Sequence, residues 1–170
     1  MPNDSIAEIA SYHNDLVSSL RLYFSNPSPS FEERFLGYSH SEITDELKER
    51  IEETDRRSAL AILISLERAF RLDYEYRREK KIKGDLFKAF RAIHKSGKRN
   101  VRLDEDIFEA WKANVTGSKR LIGELRGAFK FRHWLAHGQY WELKSRKYDF
   151  SSVYDLAYEV MNTFGFVGPD

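Results

Sequence analysis

Between Ala59 and Tyr74, apolar side chains recur at intervals of three and four: Ala59, Ile62, Leu63, Leu66, Phe70 and Tyr74. An α-helix brings residues at this spacing onto one face, and a stripe this long needs other elements to cover it. The rest of the chain offers more helices and no strands, because no segment sustains a period-two alternation. Ser5 with Glu8 has the spacing of a capping box and opens a helix to about Phe24. Ser39 with Glu42 repeats the signal and opens an acidic helix to about Asp55, which the apolar stripe follows or continues to about Lys81. Leu86, Phe87, Phe90 and Ile93 mark a shorter helix that stops near Ser96-Gly97. Asp104 reads as the N-cap of a helix bearing Ile107, Phe108 and Trp111. Thr116-Gly117-Ser118 separates it from a helix with Leu121, Ile122, Leu125, Ala128 and Phe129 inward. A last helix, starting near Ser151-Ser152, packs Val153, Leu156, Val160 and Phe164. The expected fold is an all-α helical bundle of about five to seven helices.

With 170 residues, 41% of them apolar, the chain has material for one real core and is short for two. It is read as a single domain over residues 1–170, with a core bundle at 39–166. The breaker run Ser25-Asn26-Pro27-Ser28-Pro29-Ser30 makes residues 1–38 a helix and linker, a peripheral arm on that core.

Several function classes are excluded early. There is no cysteine, which removes disulfides, thiolate catalysis and cysteine-based zinc sites. Met1-Pro2-Asn3-Asp4-Ser5 has neither the basic start nor the apolar core of a signal peptide. The longest apolar run, Ala59 to Leu66, is broken by Ser65 and too short for a bilayer. A cytoplasmic protein without membrane contact is expected. No Gly-rich phosphate loop or Gly-x-Ser-x-Gly elbow is present, and Glu52-Glu53 and Glu105 lack partners that suggest glycosidase or di-iron chemistry. The formal charge of +1 does not itself point to a polyanion. Basic residues nevertheless cluster at 77–83, 95–102 and 144–147, and acidic ones at 45–55 and 104–106. Segregated signs can present a basic face to phosphates, although a single cluster is more often a solvated surface.

The segment that carries chemistry runs from Phe129 to Trp141 and holds Arg132, His133, Trp134, His137, Tyr140 and Trp141. Its helix is expected to end at His137-Gly138, since glycine commonly follows a helix C-terminus. Histidine titrates near neutrality, which proton transfer requires. His133 and His137 are four apart, the ligand spacing of zincins, but Trp134 stands where that motif needs its glutamate. No metal and no cofactor is therefore expected.

Arg132, four intervening residues and His137 resemble the signature of HEPN domains, helical nucleases of toxin–antitoxin, CRISPR and phage-defence systems. The flanking text RGAFKFRHWLAHGQYW, followed by KYDFSSVYDLA, is similar to bacterial proteins of the RiboL-PSP-HEPN type. The resemblance implies metal-independent endoribonuclease activity, in which an RNA 2′-hydroxyl attacks the adjacent phosphate to give a 2′,3′-cyclic phosphate. His137 then handles a proton and Arg132 offers its donors to the phosphate oxygens. It further implies a homodimer, RNA as substrate, an antitoxin or nucleotidyltransferase partner, and a role in toxin–antitoxin action, phage defence or stress response. On a straight helix, residues five apart lie about 140° apart around the axis and about 7.5 Å along it, so one copy of the pair does not converge unaided.

Around this pair, Glu67 and Asp73 are read as carboxylates that orient Arg132 or His137, and His133 as a phosphate contact or a packed neighbour. Arg77 and Arg78, beside Tyr74 and Tyr76, form a second candidate RNA surface. Trp134, Tyr140 and Trp141 either stack on bases or pack in the core or a dimer interface. Many HEPN proteins carry a tyrosine two residues beyond the histidine; here Gln139 stands there and Tyr140 follows. A shifted phenol and a dispensable one both remain open. The alternative function is a catalytically silent helical homodimer that binds RNA or a partner protein.

Overall fold

The computed structural model describes residues 5–98, 100–137 and 148–168. Seven α-helices follow one another in these parts: α1 (Ile6–Tyr23), α2 (Phe31–Arg34), α3 (His40–Lys80), α4 (Asp85–Lys95), α5 (Glu109–Asn114), α6 (Ser118–Ala136) and α7 (Phe150–Thr163). A π-helical segment, Leu103–Phe108, leads into α5. No strand occurs among the described residues, and no helix among them is long and apolar enough to cross a membrane.

The acidic segment and the apolar stripe are one helix. α3 runs unbroken for 41 residues and packs against α1, α4, α6, α7 and the π-helical segment. Its capping box is complete: Ser39 Oγ accepts from the Glu42 N–H, and the Glu42 carboxylate accepts from the Ser39 N–H at 2.7 Å. Ser5 and Glu8 close the same motif on α1. α3 stops where Lys81 adopts a left-handed conformation (φ 53°).

Two helix starts differ from the sequence reading. Asp104 lies inside the π-helical segment, where it pairs with Arg126 of α6 rather than capping a helix. Asp106 takes the nearby backbone instead: Oδ2 accepts from the Arg102 N–H at 2.9 Å, and Oδ1 from Lys98 Nζ at 2.5 Å. The last helix begins at Phe150, one residue early, because Asp149 forms a reciprocal capping box with Ser152. The breaker run is followed by the short α2, which was not expected; there the Arg34 guanidinium lies against the rings of Tyr23, Phe24 and Phe35.

The core centres on Phe70. Its ring meets Phe108, Trp111, Phe164 and Phe166 edge-on, with centroids 4.9 to 6.1 Å apart. These partners come from the π-helical segment, α5 and the chain beyond α7, so one side chain ties three remote parts together. Phe70→Ala should cost about 3–5 kcal/mol, read as a lower urea midpoint at unchanged slope.

Candidate functional site

α6 starts after Gly117, whose φ of +82° turns the chain into the helix. Its last turns carry Arg132, His133, Trp134 and, at the C-cap, His137. Arg132 points across to α3, where Nη2 lies 3.1 Å from Glu67 Oε2. The other Glu67 oxygen accepts from Arg71 Nε at 2.9 Å. One carboxylate thus stands between two guanidiniums and leaves a net positive charge at a partly buried point. The buried Nε of Arg132 has no acceptor among the described residues, so the hydrogen bonding of this side chain is incomplete.

His137 is exposed and lies over His133, with ring centroids 4.1 Å apart. Arg132 and His137 therefore leave α6 toward different neighbours, as the five-residue spacing requires. The structure brings Arg132 to Glu67 and His137 to His133. Gln139 and Tyr140, with Trp141, lie outside the described residues.

Asp73 and Arg77 sit elsewhere. Asp73 is fully buried; Oδ1 accepts from Arg77 Nε at 2.9 Å and from the Val167 N–H at 2.8 Å. Burial pushes its pKa up, against the pull of those two donors. Arg77 also donates to the Gly165 carbonyl at 2.5 Å and lies over the Trp111 ring. Together they tie the chain after α7 to α3, so neither Asp73 orients Arg132 nor is Arg77 a loose surface cation. Tyr74 is buried against Phe90. Arg78 is half-buried, pairs with Glu75 and Glu79, and lies 3.2 Å from His94 Nδ1. The second candidate RNA surface thus loses Arg77 and Tyr74 to the fold.

A cleft of about 550 Å³ opens beside the end of α6, lined by Glu52, Asp55, Arg56 and Ala59 of α3, Phe131 and Trp134 of α6, and Tyr148 and Asp149 ahead of α7. Phe131 stacks between Trp134 (5.8 Å, 24°) and Tyr148 (5.7 Å, 29°). Tyr148 comes this close to α6 because position 127 is glycine; a Cβ there would collide with the phenol oxygen. Periodicity could not reveal the cleft, since its walls come from three segments far apart in sequence.

Asp55 links the cleft to the core. Its Oδ1 lies 3.5 Å from Nε2 of His13, a buried imidazole of α1 whose Nδ1 is 3.2 Å from Ser58 Oγ. The His13 ring stacks on Phe150 of α7 at 3.6 Å. Ser58, His13 and Asp55 are the residue types of a nucleophilic triad. Ser58 is however buried within α3, where the backbone N–H groups are committed to helix bonds and cannot form an oxyanion hole. The array is a strut that docks α1 on α3 and α7.

Among the described residues, no three His, Asp or Glu side chains are gathered as metal ligands. No protein-family profile, no curated protein and no solved structure matches the chain.

Burial lowers the His13 pKa from 6.5, partly opposed by Asp55. A depressed histidine stabilises the fold fully above its unfolded pKa, and that stability is lost as pH falls below 6.5 toward the folded value. Asp55 works in the opposite sense, since burial raises its pKa and protonation at lower pH relieves a penalty. The expected result is a urea midpoint that falls in the wild type from about pH 7.5 to about pH 5.5 and falls less in His13→Gln.

Proposed function

We propose that the chain is a metal-independent endoribonuclease of the HEPN kind, with Arg132 and His137 as its catalytic residues. The observation that carries this reading is the end of α6, where a partly buried arginine with incomplete hydrogen bonding lies five residues from an exposed histidine. A guanidinium held by Glu67 loses little entropy on meeting a phosphate, and the second cation on Glu67 keeps the local charge positive. A neutral imidazole at the C-cap can take the proton of the attacking 2′-hydroxyl, and an imidazolium can return one to the leaving 5′-oxygen. Atoms balance without a cofactor: one P–O bond forms from O2′, one breaks to O5′, and the proton moves through imidazole.

Because Arg132 and His137 diverge around α6, the proposal includes a homodimer in which the arginine of one protomer meets the histidine of the other. His133, whose ring lies tilted against that of His137 at 4.1 Å, would share the proton or touch a phosphate. Assignment to toxin–antitoxin, phage-defence or stress-response action, and an antitoxin or nucleotidyltransferase partner, follow only from the resemblance. One observation favours the silent-module alternative: Glu67 already neutralises part of the Arg132 charge.

Cleavage of a mixed RNA by purified protein in excess EDTA separates the two. The nuclease reading expects cyclic-phosphate ends in EDTA and a loss of at least about 100-fold in rate for His137→Ala, with Arg132→Ala comparable. RNA binding without cleavage, unchanged in His137→Ala, supports the silent module and sinks the nuclease.

A further inference from the structure

We propose that the cleft beside α6 is a base-reading subsite that selects guanine and seats it next to His137; this rests on reading the end of α6 as an RNA-cleaving site. Its size falls in the range of small-molecule sites. Its lining joins flat aromatic side chains to carboxylates: Phe131, Trp134 and Tyr148 against Glu52 and Asp55. Asp149 adds charge while its carboxylate caps α7. Among the described lining residues the guanidinium is that of Arg56, which is held by Glu53 at 3.0 Å and lies 3.9 Å from Glu52.

These walls sort ligands by chemistry. A phosphate is repelled by carboxylates, so the cleft does not take the RNA backbone. An unstacked base offers a π-face to the aromatic wall and an edge to the polar one. Ionised carboxylates only accept hydrogen bonds, so the edge they favour carries adjacent donors. Guanine alone among the four bases places two donors, N1–H and the 2-amino group, side by side on its Watson–Crick edge. In adenine and cytosine the amino group adjoins a bare ring nitrogen, and the uracil N–H lies between two carbonyls; each sets an acceptor against a carboxylate. Glu52 and Asp55 are one turn apart on α3, and both line the cleft.

Electrostatics favour the same guest. Burial and the nearby Asp149 and Glu52 carboxylates raise the Asp55 pKa, with His13 and Arg56 opposing. Two incoming donors at its carboxylate would offset part of that burial. Position ties the cleft to the chemistry, because His137 follows Trp134 by three residues, a spacing that puts side chains about 5–6 Å apart at Cβ. On this proposal a base against Trp134 puts its own ribose and phosphate within reach of His137, the C-cap of the same helix.

The test uses nucleosides, which contain no phosphodiester, so binding is read whether or not the protein cuts RNA. Guanosine, inosine, adenosine, cytidine and uridine are titrated into the full-length protein, following the Trp134 indole N–H resonance, assigned by its loss in Trp134→Phe. Agmatine serves as a control organic cation. Guanosine should bind about tenfold tighter than adenosine, cytidine or uridine, with inosine between because it lacks the 2-amino donor. Glu52→Gln and Asp55→Asn should each remove most of that preference; Glu52 has no part in the His13 strut, so its variant remains informative if Asp55→Asn loosens α1. Equal binding of all nucleosides, agmatine binding in place of guanosine, or no shift at Trp134 overturns the proposal. Guanosine binding with no cleavage of any RNA supports the subsite and overturns the nuclease reading alone.

Discussion

The apolar stripe of α3 cannot be buried by α3 itself, and every other long helix takes its place by covering part of that stripe. Ile62, Leu63, Leu66 and Phe70 are fully buried, under helices drawn from both ends of the chain. The length of α3 lets one element serve two purposes. Its middle holds the core, while residues on its flank reach the surface beside α6. Glu52 and Asp55 line the cleft there, and Glu67, three to four turns further on, meets Arg132. A rigid helix fixes the spacing between these groups without any loop, a firmer way to hold a site than a flexible segment.

Arg132 illustrates how the fold treats a charge it does not fully solvate. A long cationic side chain lying between helices needs an acceptor, and Glu67 supplies it. Glu67 in turn is shared with Arg71, so the carboxylate is outnumbered. Asp73 and Arg77 show the contrasting case, a one-to-one pair completed by the Val167 N–H and the Gly165 carbonyl. That pair fastens the chain end and has nothing left for a ligand. The difference between the two arginines is one of bookkeeping in donors and acceptors, and it is the physical reason for proposing chemistry at Arg132 and reading Arg77 as structural.

Much of the helical order was legible because it depends on local patterns. The capping boxes at Ser5 and Ser39 and the stripe on α3 each lie within a few turns of chain. The misplaced cap at Asp104 shows the limit. Asp104 pairs with Arg126, a residue of another helix that nothing in its own segment announces, and Asp106 takes the nearby backbone instead. Asp73 fails for the same reason: nothing local says that it is buried and that Val167 will reach it. Glu67 reached Arg132 because both lie on the facing sides of long helices, where periodicity does carry some three-dimensional information. The cleft needed Gly127, Tyr148 and Asp55 to meet, and no pattern in one segment encodes that meeting.

A nucleotide presents two unlike surfaces, an anionic backbone and a neutral base with mixed donors and acceptors, so a site that holds both must separate its charges. The end of α6 has that separation. Arg132 faces α3 on one side, with Arg71 behind the shared carboxylate, and the acidic aromatic cleft opens on the side of Phe131 and Trp134. A net charge near zero is then no argument against a polyanion partner. If cations outnumbered carboxylates in the cleft, it would draw in the backbone and lose the means to read an edge. If the arginine side carried only carboxylates, it would repel the phosphate that the proposed chemistry brings near His137. On the proposed reading, opposite electrostatics on two faces of one helix would let the same element attract the backbone and discriminate the base.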